Sequence, residues 1–127
     1  MPANKTFVDD YQEMYYAFNA DLSKSFKPQL ERVLNMDVKT LIYNGQNDFI
    51  VNTAGVLTYL NTLKWKNAKE WRDAKKSMWK DYDDVTNLGW TKNYGNLYFT
   101  LVRNAGHLVP SDQPRIAWFM LNNFFKQ

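Results

Sequence analysis

An α/β fold, in which helices flank a sheet, is the architecture that this 127-residue sequence predicts. Apolar residues make up 45% of the chain and aromatic residues 17%, which is typical of a packed globule. Two apolar, β-branched runs, Thr40–Tyr43 and Asn96–Arg103, interrupt a spacing that is otherwise helical. Because helical patterns precede, separate and follow these runs, a layered arrangement fits better than a helical bundle.

The N-terminal part of the chain has the apolar spacing of a helix. Between Val8 and Asp21 the apolar residues recur every three or four positions, which predicts a helix with a wide buried stripe. A second helix is expected to begin near Pro28 and to reach Met36, because proline is favoured in a first helical turn. Residues 1–25 are therefore assigned to an N-terminal helical segment and residues 26–127 to the α/β domain. The residues predicted to face inward are Val8, Tyr11, Met14, Tyr15, Phe18, Leu30, Val33 and Leu34.

The middle of the chain predicts a strand, a loop and a helix. Thr40–Tyr43 is followed by Asn44 and Gly45, and it is expected to form a buried parallel strand. Thr53–Trp65 has helical spacing, and Thr53 is a suitable N-cap. The inward face of this helix is predicted to comprise Val56, Leu57, Leu60, Leu63 and Lys64.

Residues 66–80 contain six basic side chains with Trp71 and Trp79 among them. Such a mixture can bind single-stranded nucleic acid. Glu70 and Asp73 interrupt the run, however, and the net charge of the whole chain is only +3. We therefore expect a solvated helix face whose tryptophans anchor it to the core, and no nucleic-acid partner.

A β-hairpin and a final helix are expected in the last third of the chain. Asn87–Lys92 and Asn96–Arg103 flank Asn93-Tyr94-Gly95, which is favourable turn chemistry, and the second strand is apolar enough to be central. Pro114–Phe125 has helical spacing. Its predicted buried face comprises Ile116, Ala117, Met120, Leu121, Phe124 and Phe125.

Two loops contain the candidate catalytic residues. His107, the only histidine, follows the apolar strand of the hairpin, and Asp48 follows the Thr40–Tyr43 strand. A single loop histidine is by itself more often structural than catalytic. If the two strands are neighbours, however, both loops lie at the edge where α/β proteins collect catalytic groups. The Asp48 carboxylate would then accept the Nδ1–H of His107 and stabilise the imidazolium of a general base.

Two sequence blocks resemble the C-terminal part of serine carboxypeptidases, which have the α/β-hydrolase fold. The first is Leu41-Ile42-Tyr43-Asn44-Gly45-Gln46-Asn47-Asp48, with Gly55 and Leu63-Lys64-Trp65 downstream. The second is Val102-Arg103-Asn104-Ala105-Gly106-His107-Leu108-Val109-Pro110, followed by Asp112-Gln113-Pro114 and Ala117. The resemblance extends from about Phe26 to Phe125. It is nearest to the retinoid-inducible and vitellogenic-like branch, in which no cysteine is expected at the position of Val51.

The resemblance implies that Asp48 is the acid and His107 the general base of a catalytic triad, with no cofactor and no metal. It also implies that the chain is the C-terminal portion of a hydrolase sheet, which is incomplete without its N-terminal part. The triad serine should lie in a Gly-x-Ser-x-Gly turn upstream of the acid. None of the four serines, Ser23, Ser25, Ser77 and Ser111, lies between glycines, and Ser111 is expected to cap a helix.

Two functions remain open at this point. The chain is either a small chain or C-terminal fragment of a serine carboxypeptidase, or an inactive remnant that acts as an interaction subunit. In the first case it would dock against the Ser-bearing chain and act on peptides in a lysosome, a vacuole or the secreted space. In the second case, which Met1 and the lack of a leader pattern favour, the partners are other protein subunits and the compartment is unassigned. The absence of cysteine excludes disulfides, and no apolar run is long enough to span a membrane.

Overall fold

Six helices and four strands are present in residues 12–22, 24–83 and 85–126, which are the residues that the computed structural model describes. The elements are α1 (Gln12–Leu22), α2 (Lys27–Asn35), β1 (Thr40–Gly45), α3 (Thr53–Asn61), α4 (Ala68–Asp73), β2 (Ser77–Lys80), β3 (Asn87–Tyr94), β4 (Leu97–Val102), α5 (Val109–Asp112) and α6 (Pro114–Lys126).

The four strands form one mixed sheet in the order β1-β4-β3-β2. β1 and β4 are parallel, whereas β4, β3 and β2 are successively antiparallel. The predicted α/β class and the central place of β4 are therefore confirmed. β1 is less buried than predicted, and Tyr43 is 41% exposed, because β1 lies at the end of the described sheet with one edge unpaired.

Side chains of β4 alternate between two cores, one on each face of the sheet. On one face, Phe99 packs with Leu34 of α2, Leu60 of α3 and Trp71 of α4, and all four are at most 2% exposed. On the other face, Val102 packs with side chains of α5 and α6, namely Val109, Ala117 and Met120. The result is a helix–sheet–helix arrangement, in which β4 is covered on both faces.

α1 departs from its sequence prediction. None of its residues is buried, and Met14, Tyr15 and Phe18, which were predicted to face inward, are 57–59% exposed. Val8 and Tyr11 lie outside the described residues. The helical spacing of this segment is real, but no element of the described structure covers the apolar face that the spacing creates.

The boundaries of α3 also differ from those predicted. The N-cap is Asn52, not Thr53, because the Asn52 side chain accepts a hydrogen bond from the Gly55 N–H at 2.9 Å. The helix ends at Asn61 and not at Trp65. Leu63 is nevertheless buried beyond the helix end, whereas Lys64, which was predicted to face inward, is exposed.

The basic segment is a helix only in part. α4 covers residues 68–73, and Ser77–Lys80 forms strand β2, so the prediction of one continuous helix face was wrong. Trp71 is fully buried, as expected of a core anchor. The Nζ of Lys92 lies 4.5 Å from the centre of its ring and donates to the Arg72 carbonyl at 2.9 Å. This contact compensates for the burial of a lysine on the apolar face of β3.

In α6 the buried face is rotated from the one predicted. Ala117 and Met120 are buried as expected, but Leu121 and Phe125 are exposed and Phe119 is buried in their place. Phe119 stacks on Trp79 of β2 and contacts Tyr82, with ring centres 5.9 and 4.4 Å apart. Aromatic partners contributed by a distant part of the chain therefore decide which side of α6 is covered. Periodicity within the helix does not reveal them.

Candidate active site

The parallel pairing of β1 and β4 brings two loops together. Gly45 and Val102 are partners at the carboxyl ends of the two strands, so both chains leave the sheet at the same edge. Two further backbone hydrogen bonds extend the contact, from the Gln46 N–H to the Val102 carbonyl and from the Asn47 N–H to the Ala105 carbonyl, at 2.9 and 2.8 Å. The loops are thus joined by main-chain bonds before any side chain is considered.

Glycine at position 45 allows this close approach. A Cβ atom at Gly45 would lie 2.1 Å from the carbonyl oxygen of Gly106 and 2.5 Å from that of Ala105. Both atoms belong to the backbone and cannot rotate away as a side chain can. The residue at the end of β1 must therefore be glycine for the histidine loop to lie where it does.

The structure brings the two residues singled out in the sequence into contact. The Nδ1 atom of His107 lies 3.0 Å from Oδ2 of Asp48, although 59 positions separate the two residues. An ionised carboxylate can only accept a hydrogen bond, so Nδ1 carries the proton in this pair and Nε2 is left as the basic nitrogen. The Asp48 side chain is only 5% exposed, whereas that of His107 is 50% exposed. The far side of the imidazole is thus open to a reacting group.

The second carboxylate oxygen of Asp48 is held by its own loop. Oδ1 accepts hydrogen bonds from the backbone N–H groups of Val51 and Ile50, at 2.9 and 3.0 Å. The bond from Val51 is the largest influence on this carboxyl and lowers its pKa below the usual value. Burial acts in the opposite direction, and the contacts with His107 and Ile50 lower the pKa further. Asp48 is therefore ionised at neutral pH and fixed in orientation.

Several residues that the sequence did not mark as functional shape the two loops. The buried Asn44 donates through Nδ2 to the Val51 carbonyl at 2.8 Å and so braces the loop of Asp48. In the histidine loop, Asn104 has a positive φ of 58°, and its backbone is held by Gln46 and Gln113. Asp112 accepts a hydrogen bond from the Gly106 N–H at 2.6 Å. For the loop of Asp48, the sequence signal that could have been used is the pair Asn44-Gly45, which follows an apolar strand and is typical of a turn.

Ser111 has a different place from the one expected. It lies inside α5 and is exposed, and its side chain makes no capping hydrogen bond. Among the described residues, no serine hydroxyl is hydrogen-bonded to His107. In the same part of the chain, no three histidine, aspartate or glutamate side chains cluster as metal ligands. No helix within these ranges has the length and apolar character needed to cross a bilayer.

The rim of the pair is apolar and uncovered. Phe49 and Ile50 beside Asp48 are 94% and 76% exposed, and Leu108 beside His107 is 65% exposed. An open groove lies next to them, lined by Ile50, Val51, Asn52, Gly55, Val56 and Tyr59. A separate cavity of about 170 Å³ lies between the sheet and α6. Its lining includes Leu41 and Tyr98 at the amino ends of β1 and β4, so it is remote from the pair.

Comparison with known proteins gives a consistent result. The family model described as serine carboxypeptidase matches residues 2–127. The probable serine carboxypeptidase CPVL of Homo sapiens is 36% identical over 122 residues, which are 95% of this chain and 25% of that protein. The vacuolar serine-type carboxypeptidase ATG42 of Saccharomyces cerevisiae is 34% identical over 109 residues, 86% of this chain and 22% of that protein.

A solved structure is also similar. The crystal structure of Kex1Δp, a prohormone-processing carboxypeptidase from Saccharomyces cerevisiae, superposes with a TM-score of 0.71 at 31% identity. The match covers 82% of this chain and 23% of that one. The chain thus spans about a quarter of the length of the carboxypeptidases that it matches.

Proposed function

This chain belongs to the serine carboxypeptidase family, and from that premise we propose that it supplies the acid and the base of a serine carboxypeptidase active site. The nucleophilic serine comes from the Ser-bearing part of the enzyme, which this sequence does not contain. Together the two parts release C-terminal residues from peptides. The observation that carries the proposal is the 3.0 Å contact between His107 Nδ1 and Asp48 Oδ2, with the opposite side of the imidazole exposed.

The chemistry follows from this geometry. Nε2 of His107 accepts the proton of the serine hydroxyl as its oxygen attacks the scissile carbonyl, and later returns that proton to the leaving amine. Asp48 stabilises the imidazolium between these steps and stays ionised, because its pKa is lowered by backbone hydrogen bonds and by His107. Water then attacks the acyl-enzyme with the same base, which regenerates the serine. Without the serine, the pair has no nucleophile to activate.

Uncovered surfaces support the proposal that a companion segment covers this chain. β1 has an unpaired edge in the described sheet, and a parallel strand with a free edge is rarely left in solvent. Phe49, Ile50 and Leu108 form an apolar rim around the pair, and the apolar face of α1 is uncovered. We assign these surfaces to contact with the Ser-bearing part, in a vacuolar, lysosomal or secreted enzyme.

A fluorophosphonate probe on the native assembly tests the proposal, because the probe reacts with serines that a base activates. We expect labelling of a serine outside this chain and loss of that labelling in His107→Ala. Asp73→Asn is the matched control, because Asp73 is an exposed aspartate paired with Lys69 on α4. Undiminished labelling in His107→Ala would contradict the assignment of His107 as the base.

The second candidate function is that of an inactive remnant that serves as an interaction subunit. Its exposed apolar side chains, Phe49, Ile50 and Leu108 among them, would then contact other protein subunits. In that case an assembly purified through this chain contains no serine that reacts with the probe. The same labelling experiment therefore separates the two candidates.

A further inference from the structure

A carboxylate outside the Asp48–His107 pair holds the backbone next to the histidine. Asp112 Oδ2 accepts a hydrogen bond from the Gly106 N–H at 2.6 Å. We propose that Asp112 is a positioning residue, which orients the backbone so that the imidazole of His107 reaches Asp48. The inference rests on the proposed function, since orientation matters for catalysis only if His107 is the base.

At 2.6 Å the hydrogen bond is short, as hydrogen bonds to carboxylates tend to be. Glycine at position 106 makes it possible. A Cβ atom there would lie 3.1 Å from Asp112 Oδ2, which is closer than such atoms normally come. The missing side chain therefore leaves the space that the carboxylate occupies.

Gly106 is also restrained from the opposite direction. Its carbonyl oxygen lies against Gly45, so close that a Cβ on Gly45 would be 2.1 Å away. The backbone that leads into His107 is thus fixed between the end of β1 and the Asp112 carboxylate. Glycine has the least restricted backbone of all residues, so without the carboxylate this segment can rotate and turn Nδ1 away from Asp48.

Asp112 is itself well supported. It is the last residue of α5, and its backbone N–H donates to the Leu108 carbonyl at 3.0 Å. Val109 of the same helix is 2% exposed and packs against Val102 and Ala117. The carboxylate is therefore presented by a helix that is anchored in the core of the domain.

The test compares Asp112→Ala with Asp112→Asn in the complete assembly. Alanine removes the hydrogen-bond acceptor, whereas asparagine keeps an oxygen that can accept from Gly106. We expect kcat to fall roughly 10- to 100-fold in Asp112→Ala with KM little changed, because a small misplacement of a catalytic group has an effect of this order. Asp112→Asn should restore most of the loss, and Asp73→Ala should leave kcat unchanged.

The protonation site of His107 provides a readout that does not depend on activity. In an assembly with ¹⁵N-labelled histidine, the signals that are absent from His107→Ala belong to His107. Protonation at Nδ1 should dominate in the wild type and in Asp112→Asn, and should be reduced in Asp112→Ala. If Asp112→Ala does not fold, Gly106→Ala crowds the same hydrogen bond and should shift the protonation site in the same direction.

The outcomes distinguish this inference from the proposed function. Wild-type kcat and an unchanged protonation site in the Asp112→Ala and Gly106→Ala variants would overturn the positioning role, even if His107 is the base. Lower thermal stability with an unchanged protonation site would also overturn it, because Asp112 would then be only structural. Full activity in His107→Ala would overturn the proposed function, whereas the ¹⁵N signals would still report whether Asp112 orients the imidazole.

Discussion

The two oxygens of the Asp48 carboxylate have separate tasks. Oδ1 is bound by the N–H groups of Ile50 and Val51, which fixes the plane of the carboxylate, while Oδ2 is directed to His107. Because the backbone holds one oxygen, the other can orient the imidazole without losing its own position. This arrangement favours one protonation state of the histidine, with the proton on Nδ1.

Replacing Asp48 by asparagine tests this division. The amide oxygen would keep the backbone bonds, and the NH₂ group would face Nδ1 of His107, which must then accept a hydrogen bond and carry its proton on Nε2. An imidazole protonated on Nε2 cannot act as the base, so we expect kcat of the complete assembly to fall by roughly 10⁴-fold. Steady-state kinetics measure this, with Asp73→Asn as the control. A decrease of less than about tenfold would contradict the account.

Asp83 is another aspartate whose pKa is lowered, and it has no part in the site. Hydrogen bonds from the Thr86 hydroxyl and from the N–H groups of Thr86 and Val85 lower its pKa from 3.8 to about 2. A carboxyl whose pKa is lower in the folded state than in the unfolded state stabilises the fold at pH values above its unfolded-state pKa. This stabilisation is lost as the pH falls through the folded-state pKa.

We therefore expect the free energy of unfolding of the wild-type protein to decrease between about pH 4 and pH 2, in part through Asp83. The asparagine of Asp83→Asn does not titrate, so the free energy of unfolding of this variant should change less with pH over the same interval. Denaturant unfolding at several pH values measures this change in both proteins. Parallel curves for the two proteins would show that the Asp83 hydrogen bonds do not stabilise the fold.

At the scale of the elements, local chemistry predicted most of the strands and the helix starts that involve proline. Pro28 and Pro114 lie in the first turns of α2 and α6. The hairpin was also predicted, but its turn is Gly95-Asn96, because Asn93 and Tyr94 pair with Tyr98 and Leu97 as part of β3. The failures have a common physical reason. Burial of Phe119 instead of Leu121, or exposure of α1, depends on which distant surface is present, and helical periodicity contains no information on that surface.

The candidate site was predictable in part. Two polar residues after two apolar strands could be expected to meet, because parallel neighbours end at the same edge of a sheet. The contribution of Asp112 could not be predicted in this way. It depends on a backbone N–H that is six positions away and on the space left by Gly106, and neither is visible in a residue pattern.

The assignment of Asn52, and not Thr53, as the N-cap of α3 can be tested directly. The Asn52 side chain satisfies the Gly55 N–H, whereas the Thr53 hydroxyl, predicted as the cap, is buried without a hydrogen-bond partner in the described structure. Asn52→Ala should therefore reduce the free energy of unfolding by about 1 kcal/mol. Thr53→Ala should change it by less than half as much. Thermal or denaturant unfolding of both variants measures the difference, and a larger effect at Thr53 would restore the original prediction.

The described structure is packed around β4, but other parts of its surface are uncovered. β4 is covered on both faces, whereas one edge of β1, the rim of Asp48 and His107, and the apolar face of α1 are uncovered. The rim and the face of α1 are apolar, whereas the free edge of β1 exposes backbone N–H and C=O groups that another strand can pair with. Because the chain spans about a quarter of the length of its relatives, such surfaces are expected where the rest of a full-length relative would lie.

Isolated from its companion, the chain should therefore associate with itself. We expect gel filtration of the purified chain to show oligomers or aggregates, because exposed apolar patches promote association between molecules. Co-expression with the Ser-bearing part should convert them to a defined complex. A stable monomer at high concentration, without any companion, would contradict this view of its surfaces.

We have proposed that Asp48 and His107 form the acid and base of a peptide-cleaving site that another segment completes. Mass spectrometry of a peptide incubated with the complete assembly tests this proposal. We expect the peptide to shorten by single residues from its C-terminus and this shortening to be abolished in His107→Ala. Equal shortening with and without the histidine, or an intact peptide after incubation with an assembly that places a serine beside His107, would contradict it.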